Sequence, residues 1–113
     1  MKGDTLGEFE ELVLLAVCVL EEEAYGVSIL ERIEEDAQRT VSIGAVYSAL
    51  RRLEKKGYVS SHLGDVTPER GGRRKRLFRV SPEGLQALRH LRQVRERLWS
   101  QLEVESGGEG GSG

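Results

Sequence analysis

Residues 40–57, TVSIGAVYSALRRLEKKG, predict a helix with two different faces. Ser42 is placed to cap the N-terminus, because its hydroxyl oxygen can accept from a free backbone N–H of the first turn. Gly57 is placed to end the helix in a left-handed conformation. Val46, Leu50 and Leu53 are spaced by four and then three residues, which is the interval of a buried helical stripe. The pattern predicts one face packed against a core.

The opposite face of this helix is small and cationic. Tyr47 and Arg52 lie at its edges, and the face itself consists of Gly44, Ser48, Arg51 and Lys55. The small residues would allow close backbone approach, and both arginines could donate paired hydrogen bonds to a guanine edge or a phosphate. An ordinary surface helix with solvated cations is the alternative interpretation of this segment alone.

Two helices are predicted before this segment. Residues 7–23 hold a nine-residue apolar block between acidic flanks, which favours a buried helix over a buried strand. Residues 25–37 predict an amphipathic helix with an acidic outer face. Its expected apolar stripe comprises Val27, Leu30, Ile33 and Ala37.

A hairpin and a long helix are predicted after it. Residues 58–64 and 76–80 are strand-like, and the polar, glycine-containing loop between them indicates a β-hairpin with a projecting tip. Ser81 and Pro82 then suit the N-cap and the first position of a helix. The apolar stripe expected on that helix comprises Leu85, Leu88, Leu91, Val94, Leu98 and Leu102. The glycine-rich residues 106–113 are expected to be disordered.

Charge is segregated along the chain, although the formal net charge is only −2. Residues 1–38 hold 2 basic and 11 acidic residues, whereas residues 39–79 hold 11 basic and 3 acidic residues. The hairpin tip, GGRRKR at 71–76, contains the densest cluster of cations. This asymmetry indicates a polyanionic partner for the middle of the chain.

Several function classes fit the sequence poorly. The longest apolar run is far shorter than the roughly 20 residues of a membrane span, and no secretion leader opens the chain. No cysteine, histidine and carboxylate spacing predicts a metal site, and no nucleophile, base and orienting group predict an enzyme. No cofactor is expected either. Cys18, the one cysteine, lies in the apolar block and is expected to be a buried thiol, which suits the cytoplasm.

The order helix, helix, helix, strand, loop, strand, long helix predicts an α+β, mostly helical fold, a winged helix-turn-helix. Residues 1–80 would form this domain, residues 81–105 a C-terminal dimerisation helix, and residues 106–113 the tail. A homodimer is expected because a small monomer has little core with which to cover an apolar stripe. The stripe residues assigned to the dimer are Leu91, Val94, Leu98 and Leu102.

Four stretches of the chain resemble the PadR family of bacterial transcriptional regulators. They are LGEFEELVLLAV, AYGVSILERIEE, SIGAVYSALRRLEKKGYV and GGRRKRLFRVSPEGLQAL, and together they span most of residues 6 to 100. The resemblance implies a homodimeric repressor that binds double-stranded operator DNA and is released by a small molecule or a stress signal. It implies DNA contacts from the third helix, the hairpin tip and the start of the second helix, by Ser42, Gly44, Tyr47, Ser48, Arg51, Arg73, Arg74, Lys75 and Tyr25.

Two questions stay open in the sequence. Trp99 borders the apolar stripe of the last helix, where it would either pack in the dimer interface or form a flat wall for a small aromatic effector. The function itself also has alternatives. The domain could bind a protein through its acidic first two helices, and membrane binding through the basic loop is disfavoured because no apolar residues are interleaved with the cations.

Overall fold

The computed structural model describes residues 5–65 and 74–110, with side chains described as far as residue 102. The elements are α1 (Glu8–Leu20), a 3₁₀ turn (Glu21–Glu23), α2 (Gly26–Ala37), α3 (Ile43–Lys55), β1 (Val59–Leu63), β2 (Arg76–Val80) and α4 (Pro82–Gly110). The two strands pair antiparallel, with Val59 opposite Val80 and Leu63 opposite Arg76. This architecture confirms the predicted α+β, mostly helical, winged helix-turn-helix fold.

The core lies where the first three helices meet the hairpin. Val46, Leu50 and Leu53 are fully buried, which confirms the predicted inner stripe of α3. The other elements add Val13, Leu14 and Val17 from α1, Ile29 and Ile33 from α2, and Val59 and Phe78 from the strands. Removing these apolar side chains from water is the main force that holds the helices together.

Both predicted ends of α3 are confirmed. The Ser42 side-chain oxygen accepts from the Ala45 backbone N–H at 3.0 Å, which satisfies a donor of the first turn. Gly57 follows the last residues of the helix with a φ of +79°, a conformation that favours glycine. The turn then leads directly into β1, so α3 and the hairpin are held at a fixed angle.

The predicted stripe of α2 is partly wrong. Val27 and Ala37 are exposed, whereas Gly26, Ile29 and Ile33 are buried. Ile29 and Ile33 are four residues apart, which is the spacing of one helical face, and this face packs against the core. The sequence analysis placed Val27 and Ala37 on that face instead.

The hairpin is attached to the body at the start of α2. The Phe78 backbone N–H donates to the Ala24 carbonyl at 2.8 Å, and Tyr25 forms a single bridge with Leu77. The predicted second strand, residues 76–80, is confirmed at both ends. These backbone bonds fix the base of the wing beside α2.

Helix α4 begins as predicted. The Ser81 side-chain oxygen accepts from the Gly84 backbone N–H at 3.0 Å, and Pro82 is the first helical residue. Apolar residues from Leu85 to Val94 recur every three residues, so their stripe rotates by roughly 60° at each step around a helix of 3.6 residues per turn. Leu88 is therefore buried against the body, whereas Leu98 is 61% exposed.

The C-terminal end of α4 differs from the sequence prediction. The helix was expected to end at residue 105, but helical backbone continues to Gly110. Extending an existing helix adds one hydrogen bond for each residue that is fixed, so a helix can run past its last apolar residue. The disorder expected for residues 106–113 stays a prediction, and residues 111–113 lie outside the described residues.

Replacing Gly84 with alanine is expected to destabilise the fold by about 2 kcal/mol, because the added methyl would overpack a closed contact. A Cβ here would collide with the backbone carbonyl of Tyr58 and lie 3.0 Å from Val80 Cγ2. Gly44→Ala is the matched control, since a Cβ at Gly44 meets nothing within 4 Å. The control should gain roughly 0.5 kcal/mol from helix propensity. Urea denaturation at one protein concentration measures both, and equal stability of the two variants would contradict the assigned contact.

Candidate nucleic-acid interface

The outward face of α3 is open, as the sequence predicted. Gly44, Tyr47, Arg51 and Lys55 are exposed, and Ser48 is half-buried. Arg51 Nη2 donates to Ser48 Oγ at 3.3 Å, which holds the guanidinium along the helix. The backbone at Gly44 is thus accessible near the N-terminus of α3. Two turns later, the same face carries the guanidinium of Arg51.

The structure adds one residue at the start of α3 to the set chosen from the sequence. The Ser42 side-chain oxygen caps the helix, as predicted, and its assigned DNA contact stays a prediction. Ile43, which the sequence analysis did not select, is 41% exposed at the first helical position. Ile43 precedes Val46 by three residues, which is an interval typical of the buried stripe. It is exposed because it lies at the end of the helix, where no other described element covers it.

Arg52 is directed toward α1. Its Nε donates to Glu10 Oε2 at 2.8 Å, and Lys56 Nζ donates to Glu10 Oε1, also at 2.8 Å. The same ammonium donates to the Thr5 carbonyl at 2.6 Å. Arg52 therefore fastens the C-terminal half of α3 to α1, and its role as a DNA contact stays a prediction.

Glu10 is a buried carboxylate whose side chain is 7% exposed. Burial, the strongest influence, acts to raise its pKa. Hydrogen bonds from Lys56, the Gly7 backbone N–H and Arg52, with the charge of Lys56, outweigh burial and lower the pKa to about 2. The ionised carboxylate thus joins α1 to α3 at neutral pH.

Two of the three cations assigned to the wing tip, Arg74 and Lys75, are among the described residues. Lys75 Nζ lies 3.4 Å from the centre of the Tyr25 ring, within the range of a cation–π contact. The Gly64 backbone N–H donates to the Lys75 carbonyl at 2.7 Å, which fixes the strand beneath it. Arg74 is exposed. Arg73, the third cation assigned to the tip, lies outside the described residues.

Tyr47 connects α3 with the start of α2. A Cβ added to Gly26 would lie 2.5 Å from Tyr47 Cζ, so a larger residue at this position would displace the phenol ring. Tyr25, which precedes Gly26, holds Lys75 over its own ring. The fold therefore places Tyr47 against Gly26 and Lys75 against the neighbouring Tyr25, so three residues chosen from distant parts of the sequence lie around the start of α2.

The exposed face of α3 and the adjacent wing have the form and charge that duplex DNA requires. An α-helix fits the major groove, and its N-terminal residues reach the base edges in helix-turn-helix proteins. Cations beside it contact phosphates, which position a protein without reading sequence. Here the exposed face of α3 supplies the helix, and Arg74 and Lys75 supply cations at the adjacent wing.

A second concave surface lies between α1 and α4. This groove has a volume of about 650 Å³, and its lining includes Leu15, Cys18, Leu88 and Trp99. Trp99 is 58% exposed, and burial raises the pKa of the half-buried Cys18 thiol. Arg95 Nη2 donates to Glu11 Oε1 at 2.9 Å and ties the two helices together.

The residues assigned to the dimer occupy a different side of α4. Leu91 and Val94 are half-buried, whereas Leu98 and Leu102 are exposed. Trp99 lines the groove toward α1, roughly a quarter-turn away from Leu98 at 100° per residue. The long helix thus carries two separate apolar surfaces.

Within residues 5–65 and 74–110, no group of three histidine, cysteine or acidic side chains could hold a metal ion. The helices in that part of the chain include none with the length and apolar character of a membrane span.

The family comparison matches residues 14–90 to the model of the transcriptional regulator PadR-like family. No curated protein matches the chain significantly. Among solved structures, a PadR-like transcriptional regulator from Bacillus cereus is similar with a TM-score of 0.71 and 21% identity, over 89% of this chain and 93% of that chain. A padr family transcriptional regulator from Eggerthella lenta has a TM-score of 0.64 and 26% identity, over 84% of this chain and 82% of that one.

A Streptococcus transcriptional regulator is also similar, with a TM-score of 0.70 and 22% identity, over 87% of this chain and 91% of that chain. The family match includes α2, α3, both strands and the start of α4, the elements that build the exposed surface described above. This protein belongs to the PadR-like family of DNA-binding transcriptional regulators.

Proposed function

We propose that the protein is a homodimeric repressor that binds an inverted-repeat operator and leaves it when a small molecule or a stress signal acts. Residues 1–80 form the DNA-binding domain, and residues 81–105 form the dimerisation helix. The protein acts in the cytoplasm and is not an enzyme. One observation carries the proposal: Tyr47 of α3 and Lys75 of the wing lie against neighbouring residues, Gly26 and Tyr25, at the start of α2.

Charge supports duplex DNA as the ligand of α3 and the wing. Arg51, Lys55 and Arg74 are exposed, and the acidic residues of α2 face away from the core on another helix. A positive surface on a protein of net charge −2 directs a polyanion to one side of the molecule. The proposed contacts are Tyr25, Gly44, Tyr47, Ser48, Arg51, Arg52, Arg73, Arg74 and Lys75, with Ser42 at the helix cap.

Uncovered apolar surface supports the homodimer. Leu98 and Leu102 on α4 are more than half exposed. A second copy would cover such residues, since contiguous apolar surface in water is unfavourable. A two-fold dimer would also place two copies of α3 in successive major grooves, about one DNA turn or ~34 Å apart.

The groove beside Trp99 supports a small aromatic effector. Its volume, about 650 Å³, lies in the range of small-molecule sites, and its lining combines apolar side chains with Arg89, Arg92 and Arg95. The indole face suits stacking with a flat ring, and Arg89 suits an anionic substituent. Arg92 and Arg95 form ion pairs with Glu96 and Glu11, which also line the groove. Quenching of Trp99 fluorescence by aromatic acids, with parallel loss of DNA binding, tests this part of the proposal.

Selection of bound fragments from the source genome at physiological salt tests DNA binding. We expect enrichment of an imperfect inverted repeat, and footprints that cover both half-sites. Failure to bind any duplex at ~50 mM salt, where phosphate contacts are strong, would contradict the proposal. That result would favour a protein-binding module that acts through the acidic faces of α1 and α2.

The double variant Leu98→Glu with Leu102→Glu is expected to be a folded monomer, because two buried charges at an interface would oppose its assembly. Both positions are exposed within one chain, so the substitutions leave its core intact. Gln93→Glu with Ser100→Glu is the matched control, since it adds the same charge at exposed positions across the helix. Light scattering gives the mass of each. A double variant that keeps the dimer mass would exclude this face of α4 as the interface.

A further inference from the structure

Ile43 is an apolar side chain at the end of the helix that enters DNA. It is 41% exposed, although the inner stripe of the same helix is completely buried. Tyr47, one turn later, is 38% exposed and lies along the same edge of α3. The first residue of the helix therefore presents a branched aliphatic group that the fold itself does not cover.

The first turn of α3, residues 43–46, carries no polar side chain. The Ser42 side-chain oxygen accepts from Ala45, and no carboxamide or guanidinium belongs to the first turn. Arg51 lies eight residues after Ile43, or about 12 Å along the helix, so it reaches a different base pair. Gly44 adds bare backbone with open space around it. The end of α3 thus offers the groove an apolar surface.

The major groove has one apolar feature that distinguishes a base pair, the 5-methyl group of thymine. We propose that Ile43 contacts a thymine methyl group and so determines the preference for an A·T pair at one position of each half-site. The cations at Arg51 and Lys75 direct duplex DNA to this edge of α3, so DNA is the occupant that the charge favours. The inference rests on the proposed function, since it requires a specific operator.

Deoxyuridine tests the contact, because it keeps the base pairing of thymine and lacks only the methyl group. Each thymine of the selected operator is replaced in turn, symmetrically in both half-sites, and affinity is measured by fluorescence anisotropy. We expect one position at which wild-type affinity falls by roughly fourfold for each half-site, the effect of one buried methyl group, and therefore by about 15-fold in total.

Ile43→Ala should weaken binding to the thymine operator by a similar factor and make the deoxyuridine replacement neutral at that position. Val19→Ala, which trims an exposed aliphatic residue of α1, is the control and should keep the wild-type preference. Equal wild-type affinity for thymine and deoxyuridine at every position would overturn the inference, as would an Ile43→Ala variant that still discriminates. Absence of any selected operator would instead contradict the proposed function, so the two failures are distinguishable.

Discussion

Replacement of Arg74 and Lys75 by alanine is expected to weaken operator binding roughly 100-fold to 1,000-fold at physiological salt and to flatten its salt dependence. Arg74 is exposed, and Lys75 is held over the ring of Tyr25 beside α3. If each cation neutralises one phosphate in each protomer, the dimer loses about four contacts. At roughly 0.9 per phosphate, the slope of log K against log salt becomes shallower by about 3 to 4.

Operator preference should survive this change, because phosphate contacts position the protein and base contacts specify the sequence. The measurement is affinity at several salt concentrations for the wild type and the double variant, on the operator and on one mismatched duplex. Arg92→Ala with Arg97→Ala is the matched control, since it removes the same charge from exposed positions on α4. A slope that changes equally in both variants would show that net charge, rather than the wing, controls binding.

Glu10→Gln is expected to destabilise the folded protein by about 2 to 3 kcal/mol at neutral pH. Removing one member of a buried ion pair leaves the other uncompensated, at a cost of about 3 to 5 kcal/mol when both are buried. Arg52 is half exposed and water compensates part of its charge, whereas Lys56 is mostly buried. The expected loss is therefore somewhat below that range.

The lowered pKa of Glu10 also predicts how the stability of the fold depends on pH. This pKa is about 2 in the folded chain, against an ordinary value of 4.5. Because the folded-state pKa is the lower one, the stabilisation is complete above about pH 4.5 and is lost as the pH falls toward 2. A difference of this size corresponds to about 3 kcal/mol, at 1.36 kcal/mol for each pH unit.

Chemical denaturation at pH 7, 4.5 and 3, at one protein concentration, measures both effects. The free energy of unfolding of the wild type should approach that of Glu10→Gln at the lowest pH. Glu8→Gln is the control on the same helix, since Glu8 forms an exposed pair with Arg39 at 2.8 Å. Such surface pairs contribute about 0 to 1 kcal/mol, so this variant should stay close to the wild type. A constant gap between wild type and Glu10→Gln at all three pH values would refute the role of the charge.

Most of the local structure could be predicted from residue spacing. The inner stripe of α3, its Ser42 cap, the left-handed Gly57 and the limits of β2 all depend on neighbours within a few positions. Helix periodicity and end signals act over that same range, so they are readable in the chain itself. The exposed face of α3 could be predicted from the same spacing, because residues on the side opposite the buried stripe face the solvent.

The sequence says least where a residue's surroundings come from a distant segment. Arg52 has the spacing of an outward cation, but Glu10, 42 positions earlier, draws its guanidinium toward α1. Val27 has the spacing of a core residue, but the packing of α2 against α1 and α3 buries Gly26 and Ile29 instead. Ile43 has the spacing of the inner stripe, but no other element covers the end of its helix.

The sequence by itself determined the elements, their order, the winged helix-turn-helix fold and the basic character of the central segment. Only the tertiary structure decided which of those cations form ion pairs with other elements, that Gly26 packs against the ring of Tyr47, and which apolar residues remain exposed to solvent. The reason is physical: periodicity and capping are short-range properties of the backbone, whereas burial and ion pairing depend on atoms that the fold brings together from far apart in the chain.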